Sequence, residues 1–178
     1  MKFWPSVGTR SVLWGAHAFW FHPIVVALAW RKLYRRFPNR WECLAIFCHD
    51  LGYWGCDSMD GDEDGKFHPY VGAFLASELA LIFGADDSDV SYVEELVLGH
   101  SRSFCAESGE KISELCDPDK YSILYEPAWF YWIRTILSGE IHEYRRNEEI
   151  KQGCCIASTW AWLCGYRRSV KARFSKIK

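Results

Sequence analysis

The apolar residues of this chain recur with the period of an α-helix, and that repeat restricts the fold more than any other feature. Trp41, Leu44, Ala45, Cys48 and Leu51 fall at i, i+3, i+4, i+7 spacings on one face, and Val71, Phe74, Leu75, Leu79 and Ile82 do the same. The period-two alternation of a half-buried strand is nearly absent. Pro23 opens a further helix over 23–36, where a proline is tolerated because a first-turn N–H has no intrahelical partner, and His68-Pro69 repeats that arrangement. Gly52, Gly55, Gly61 and Gly65 break the chain between two helices and make 52–67 a glycine-rich loop. Helices follow near 89–100, 118–138 and 154–172, with Gly84 and Gly109 at connections. The expected fold is an all-α bundle of about six or seven helices.

Length and composition narrow the class. A chain of 178 residues, 49% hydrophobic and 25% charged, suits a single domain over 1–178. With 10 Trp, 9 Tyr and 11 Phe, much of the core and part of any cleft wall must be flat, rigid side chains, and the surplus would also suit the buried interface of a homo-oligomer. A net charge of −2 gives no global attraction to nucleic acid, although the charges are unevenly placed. Asp57, Asp60, Asp62, Glu63 and Asp64 crowd the glycine-rich loop. Arg167, Arg168, Lys171, Arg173, Lys176 and Lys178 form a basic tail, read first as a solvated end. The stretch Leu13 to Trp30 has the length of a bilayer span, but it contains His17, His22 and Pro23, so a buried core element is expected and no membrane span. The 8 cysteines lack zinc-ribbon spacing and no secretory signal precedes them, which reads as reduced, mainly buried thiols in a cytoplasmic protein.

Several chemistries find no motif. There is no P-loop and no Rossmann fingerprint, and Asp60, Asp62 and Asp64 have the opening spacing of a calcium loop without its bidentate glutamate. Histidines and aspartates remain. Four of the 6 histidines and two aspartates occur in the order His22, His49-Asp50, His68, His100, Asp119. His49 and Asp50 end an otherwise apolar helix, where the negative end of the helix dipole disfavours a carboxylate unless a cation compensates. Imidazole nitrogens suit Zn, Fe, Mn, Co or Ni, a carboxylate can bridge two such ions, and a metal-bound hydroxide formed near neutral pH is a nucleophile. Six ligands suffice for one or two divalent ions with positions left open.

This order resembles the HD-domain superfamily, in the subset with two extra histidines. The resemblance is carried by "HPIVVALAW" from His22, "AIFCHDLGYWG" around His49-Asp50, "HPYVGA" from His68, "LGHSR" around His100 and "LCDPDK" ending in Asp119-Lys120, and it covers roughly residues 17–140. The C-terminal helix and basic tail, 150–178, lie beyond it. It implies an all-helical HD-type bundle, a binuclear metal centre and hydrolysis of phosphoester or phosphoanhydride bonds, often in nucleotides. For the first ligand His17 competes with His22, preferred because Val26 and Ala27 follow it as in the family's helix. For the last, Asp117 competes with Asp119. Asp117 suits a helix N-cap before Pro118, which leaves Asp119, followed by Lys120 as in the family, as the expected ligand.

Lys66, Ser101, Arg102 and Lys120 adjoin these ligands and could pair with phosphate oxygens; Lys120 or Arg102 would hold the equatorial oxygens of the transition state, with Asp50 at the catalytic centre. Tyr53 and Trp54 are candidates for stacking on a base. The acidic loop beside the site would repel a long phosphate backbone, so a small nucleotide is the expected substrate and long nucleic acid is not. Two alternatives share the ligand set: a di-iron oxygenase similar to myo-inositol oxygenase, and a non-catalytic nucleotide-binding protein.

Overall fold

In a computed structural model, which describes residues 4–59 and 63–175, every regular element is helical. Asp60, Gly61 and Asp62 of the acidic loop, and Lys176 and Lys178 of the basic tail, lie outside the described residues. Eleven α-helices appear among those described, more than the six or seven expected. They are α1 (Val7–Trp14), α2 (His22–Tyr34), α3 (Arg40–Cys48), α4 (Glu63–Lys66), α5 (His68–Ile82), α6 (Asp87–Leu98), α7 (Arg102–Ser108), α8 (Cys116–Ser122), α9 (Ala128–Ser138), α10 (Glu140–Gln152) and α11 (Thr159–Phe174). The excess comes from helices too short for an apolar repeat to register and from two local breaks. The expected helix over 118–138 is divided by a turn before Pro127, which serves as N-cap of α9. The long apolar stretch from Leu13 to Trp30 is likewise cut, because α1 ends at Trp14 and α2 starts at His22. No helix among the described residues is long and apolar enough to cross a membrane.

Local chemistry sets the helix ends that matter for the site. Asn39 caps α3 by accepting from the backbone N–H groups of Trp41 and Glu42, and the Glu42 carboxylate returns to the Asn39 N–H at 2.6 Å, a complete capping box. Glu42 is buried and also receives Arg36 and the Tyr92 hydroxyl, which ties the start of α3 to α2 and α6. Pro23 and Pro69 occupy the first turns of α2 and α5, as their sequences predict.

Three apolar clusters hold the bundle, the smallest around Val12, Tyr53 and Met59. One gathers Val26 and Trp30 of α2, Trp41, Ala45 and Cys48 of α3, the small residues of α5, and Val93, Leu96 and Val97 of α6. Another joins Ile123, Tyr131, Leu163, Val170 and Phe174 from α8, α9, α11 and their connections. The stripe read on α3 faces the first cluster. On α5 the packed face is the opposite one: Val71, Phe74 and Ile82 are exposed, whereas Gly72, Ala73, Ala76 and Ala80 are buried. Small side chains let α5 approach α3 closely, Gly72 lying against the backbone of Cys48 and His49. All eight cysteines are free; Cys48, Cys56, Cys105 and Cys116 are buried, but Cys43, Cys154 and Cys155 are exposed, so the expectation of mainly buried thiols holds for about half of them.

Two glycines make a reciprocal contact that brings the halves of the candidate site together. A Cβ on Gly52 would stand 2.1 Å from the carbonyl oxygen of His68, and one on Gly72 would stand 2.7 Å from that of His49. Backbone cannot yield as a flexible side chain can. We therefore expect Gly72→Ala to destabilise the fold by about 1–3 kcal/mol through overpacking, measured by urea unfolding; a variant as stable as the parent would show that α5 and α3 are not in this register.

Candidate metal centre

Five segments deliver six side chains to one place, and four arrive from helix ends. His22 is the first residue of α2, His49 caps the C-terminus of α3, His68 is the first residue of α5, and His100 follows α6 by two residues; Asp50 comes next to His49, and Asp119 lies within α8. All six are buried. They form two ligand groups sharing one residue: His22, His49, Asp50 and Asp119 in the first, Asp50, His68 and His100 in the second.

Asp50 divides its oxygens between the groups. Its Oδ2 lies 2.9 Å from His49 Nε2 and 3.2 Å from His22 Nε2, and its Oδ1 lies 3.6 Å from His100 Nε2 and 3.9 Å from His68 Nε2. Asp119 Oδ1 completes the first group at 3.1 Å from His22 Nε2 and 3.7 Å from His49 Nε2.

The backbone selects the tautomer of three rings. The Nδ1 atoms of His49, His68 and His100 lie 2.8, 2.7 and 2.5 Å from the carbonyl oxygens of Ile46, Gly65 and Val97, each three residues back. A carbonyl can only accept, so Nδ1 carries the proton and, in a neutral ring, Nε2 presents its lone pair inward. His68 and His100 then turn two lone pairs toward each other across 3.0 Å, which is repulsive unless a cation or proton lies between them. His49 Nε2 and Asp50 Oδ2, though close, are buried without an aligned hydrogen bond to any described residue. Ring nitrogens turned inward, a shared carboxylate and buried polar atoms that no described residue satisfies are the chemistry of a donor set that fits divalent metal.

The electrostatics agree. Burial opposes ionisation of Asp50, yet the charges of His17 and His49 and the nearby His100 and His22 rings hold its carboxyl well below the usual range. Asp119 behaves likewise, burial being outweighed by Lys120 and by His22 and His49. Burial pushes His68 and His100 down, so these rings are neutral. His49 is buried too, but Asp50 and Asp119 raise it to about 10.

Of the two competing pairs, His22 and Asp119 face the cluster. Asp117 is not the N-cap expected, since α8 begins at Cys116; its carboxylate instead pairs with Arg102 and lies 3.8 Å from Arg173. His17 stands beside the ligands, with Nε2 3.9 Å from Asp50 Oδ2. Its Nδ1 donates to Ser11 Oγ at 2.8 Å, and Ser11 in turn donates to Glu140. Glu140 is fully buried and also accepts from the Ala16 N–H, Ser138 and Tyr144. Nothing in the sequence pattern marked Ser11 or Glu140, because an acidic residue in a first helical turn has a ready explanation in the helix dipole.

A cavity of about 280 Å³ opens over the cluster, lined by Ser101, Lys120, His17, Glu126 and aromatic residues of α9 to α11. The other candidates from sequence fall differently. Lys120 Nζ lies 3.0 Å from Asp119 Oδ2 and is held charged chiefly by that carboxylate, whereas Arg102 is engaged by Asp117 and does not line this cavity. Tyr53 is buried and stacked on the His68 ring, centroids 3.7 Å apart, so it braces a ligand. Trp54 is 60% exposed and outside the cavity, and Lys66 lines an adjoining one, 3.7 Å from Glu107. Tyr53 also lines the cavity, as do Trp162 and Tyr166 of α11, whose near-parallel rings are 5.4 Å apart.

A metal must displace the proton that the two carboxylates hold on His49. Uptake of manganese or zinc at pH 7 is therefore expected to release about one proton per chain or more, and affinity should fall as pH drops. Calorimetric titration in two buffers of different ionisation enthalpy measures this; heats independent of buffer would contradict it.

Comparison of the chain with family models, curated proteins and solved structures gave no significant match.

Proposed function

We propose that this chain is a metal-dependent phosphohydrolase of the HD type, acting on a phosphoester or phosphoanhydride bond of a small nucleotide. The observation that carries the reading is the division of Asp50, one carboxylate oxygen toward each of two histidine sets. His22, His49, Asp50 and Asp119 would hold one ion, and Asp50, His68 and His100 the other. A metal bound there supplies Lewis acidity and brings a coordinated water's pKa toward neutrality.

The chain's own residues orient the substrate. Lys120 projects into the cavity beside Asp119, where an ammonium can pair with a phosphoryl oxygen by a charge-assisted hydrogen bond. The Ser101 hydroxyl, buried at the cavity wall, offers another donor. His17 is fixed through Ser11 and Glu140 with Nε2 3.9 Å from Asp50 Oδ2, and it lines the same cavity. The cavity's modest volume supports a small molecule over a polymer.

Phosphate release from a panel of nucleotides, with manganese, iron, cobalt, nickel or zinc added, tests the reading. Turnover should vanish in His49→Ala, and Lys120→Ala should lower kcat/KM by on the order of 100-fold, as loss of one oxyanion donor does. A folded, metal-loaded protein that hydrolyses none of the panel would overturn it.

A further inference from the structure

The cavity over the cluster does not end at the ligands. A second lobe of about 260 Å³ continues from it, and His68, Ser101, Ser103, Asn147 and Lys151 line both. Its apolar lining comes from the buried Phe104 and the exposed Ile150, and Lys66 and Glu107, 3.7 Å apart, line it as well.

Helix α10 forms the wall at this waist, and its composition is unusual for a packed helix. It is polar nearly all round, which ordinarily marks a helix facing only solvent. Yet Tyr144, Asn147, Glu148 and Lys151, at i, i+3, i+4, i+7, present one continuous face to the metal-side cavity, and Ile150 joins Asn147 and Lys151 in the second lobe. Glu148 is occupied by Gln152. Asn147, half-buried, and Lys151 make no hydrogen bond or ion pair among the described residues, although each stands where a ligand crossing the waist must pass.

We propose that Asn147 and Lys151 determine specificity by binding the non-reacting part of the substrate, which carries a second anionic group and a flat, largely apolar body with a hydrogen-bonding edge. The reacting phosphoryl group lies against Lys120 and Ser101. Lys151 takes the second anion at the waist, and the body enters the second lobe over Phe104 and Ile150, where the Asn147 amide, with both donor and acceptor, reads its edge. This rests on the phosphohydrolase reading and sharpens it: a nucleoside diphosphate or a longer anhydride fits both lobes, and a simple monoester fills one.

Two measurements on the full chain, loaded with manganese, test the proposal. The first is calorimetric binding of the α,β-methylene diphosphates of adenosine, guanosine, cytidine and uridine, which are not cleaved at that linkage. At least one should bind, and Asn147→Ala and Lys151→Ala should each weaken it by about 10-fold or more, the cost of a lost charged or paired hydrogen bond. The second is the ratio of kcat/KM for the corresponding nucleoside diphosphate to that for p-nitrophenyl phosphate, which should fall by a similar factor in both variants. Failure of the wild-type chain to bind any of the four, or unchanged binding in both variants, would overturn the assignment. Binding that depends on Asn147 and Lys151 without phosphate release would instead sustain it and overturn the hydrolase reading.

Discussion

One buried carboxylate organises this molecule. Asp50 lies at the end of α3, away from water, with imidazoles on both sides, and its ionised form is favoured by the charges of His17 and His49 against the cost of burial. An unpaired buried carboxylate costs several kcal/mol or changes protonation, so the arrangement of α2, α3, α5, α6 and α8 around Asp50 is a constraint on the whole bundle. Four helix ends converge on it, and the two reciprocal glycine contacts, Gly52 on His68 and Gly72 on His49, permit the convergence. Metal would replace protons in this cluster, joining folding and function in the same six side chains.

The buried His/Asp cluster was legible in the sequence because its residues are of a restricted type and occur at element ends that have their own signals. His49-Asp50 closes an apolar helical run, and His68 precedes a proline that opens the next helix. The N-cap argument that favours Asp119 over Asp117 is not supported by the structure, since α8 begins at Cys116; geometry separates them, one turning toward the histidines while the other meets Arg102. The face of α5 was misleading for a physical reason. Its larger apolar residues, Phe74 and Ile82 among them, point outward, and its alanines and Gly72 mark the packed side, where small side chains let α5 approach α3 closely.

What the sequence concealed is the cavity wall over the cluster. Helix α10 has no apolar stripe, so hydrophobic periodicity passes over it, and its contribution to the cavity depends on α9 and α11 folding back beside it. Glu140 is equally hidden. It holds Ser11, Ser138, Tyr144 and the Ala16 N–H at once, connecting α1, the loop that bears His17 and the start of α10. The site thus has a cluster of histidines and carboxylates with recognisable chemistry, and a cavity wall of polar and aromatic residues whose meaning comes only from their placement.

The central claim is that Asp50 joins two metal positions. Metal analysis of the purified chain after reconstitution and removal of free ion, compared between the parent and Asp50→Asn, tests it most directly. The account predicts about two ions per chain in the parent, as the two ligand groups require, with loss of both or retention of no more than one in the folded variant. A folded parent that retains no metal, or an Asp50→Asn variant that retains two, would contradict it.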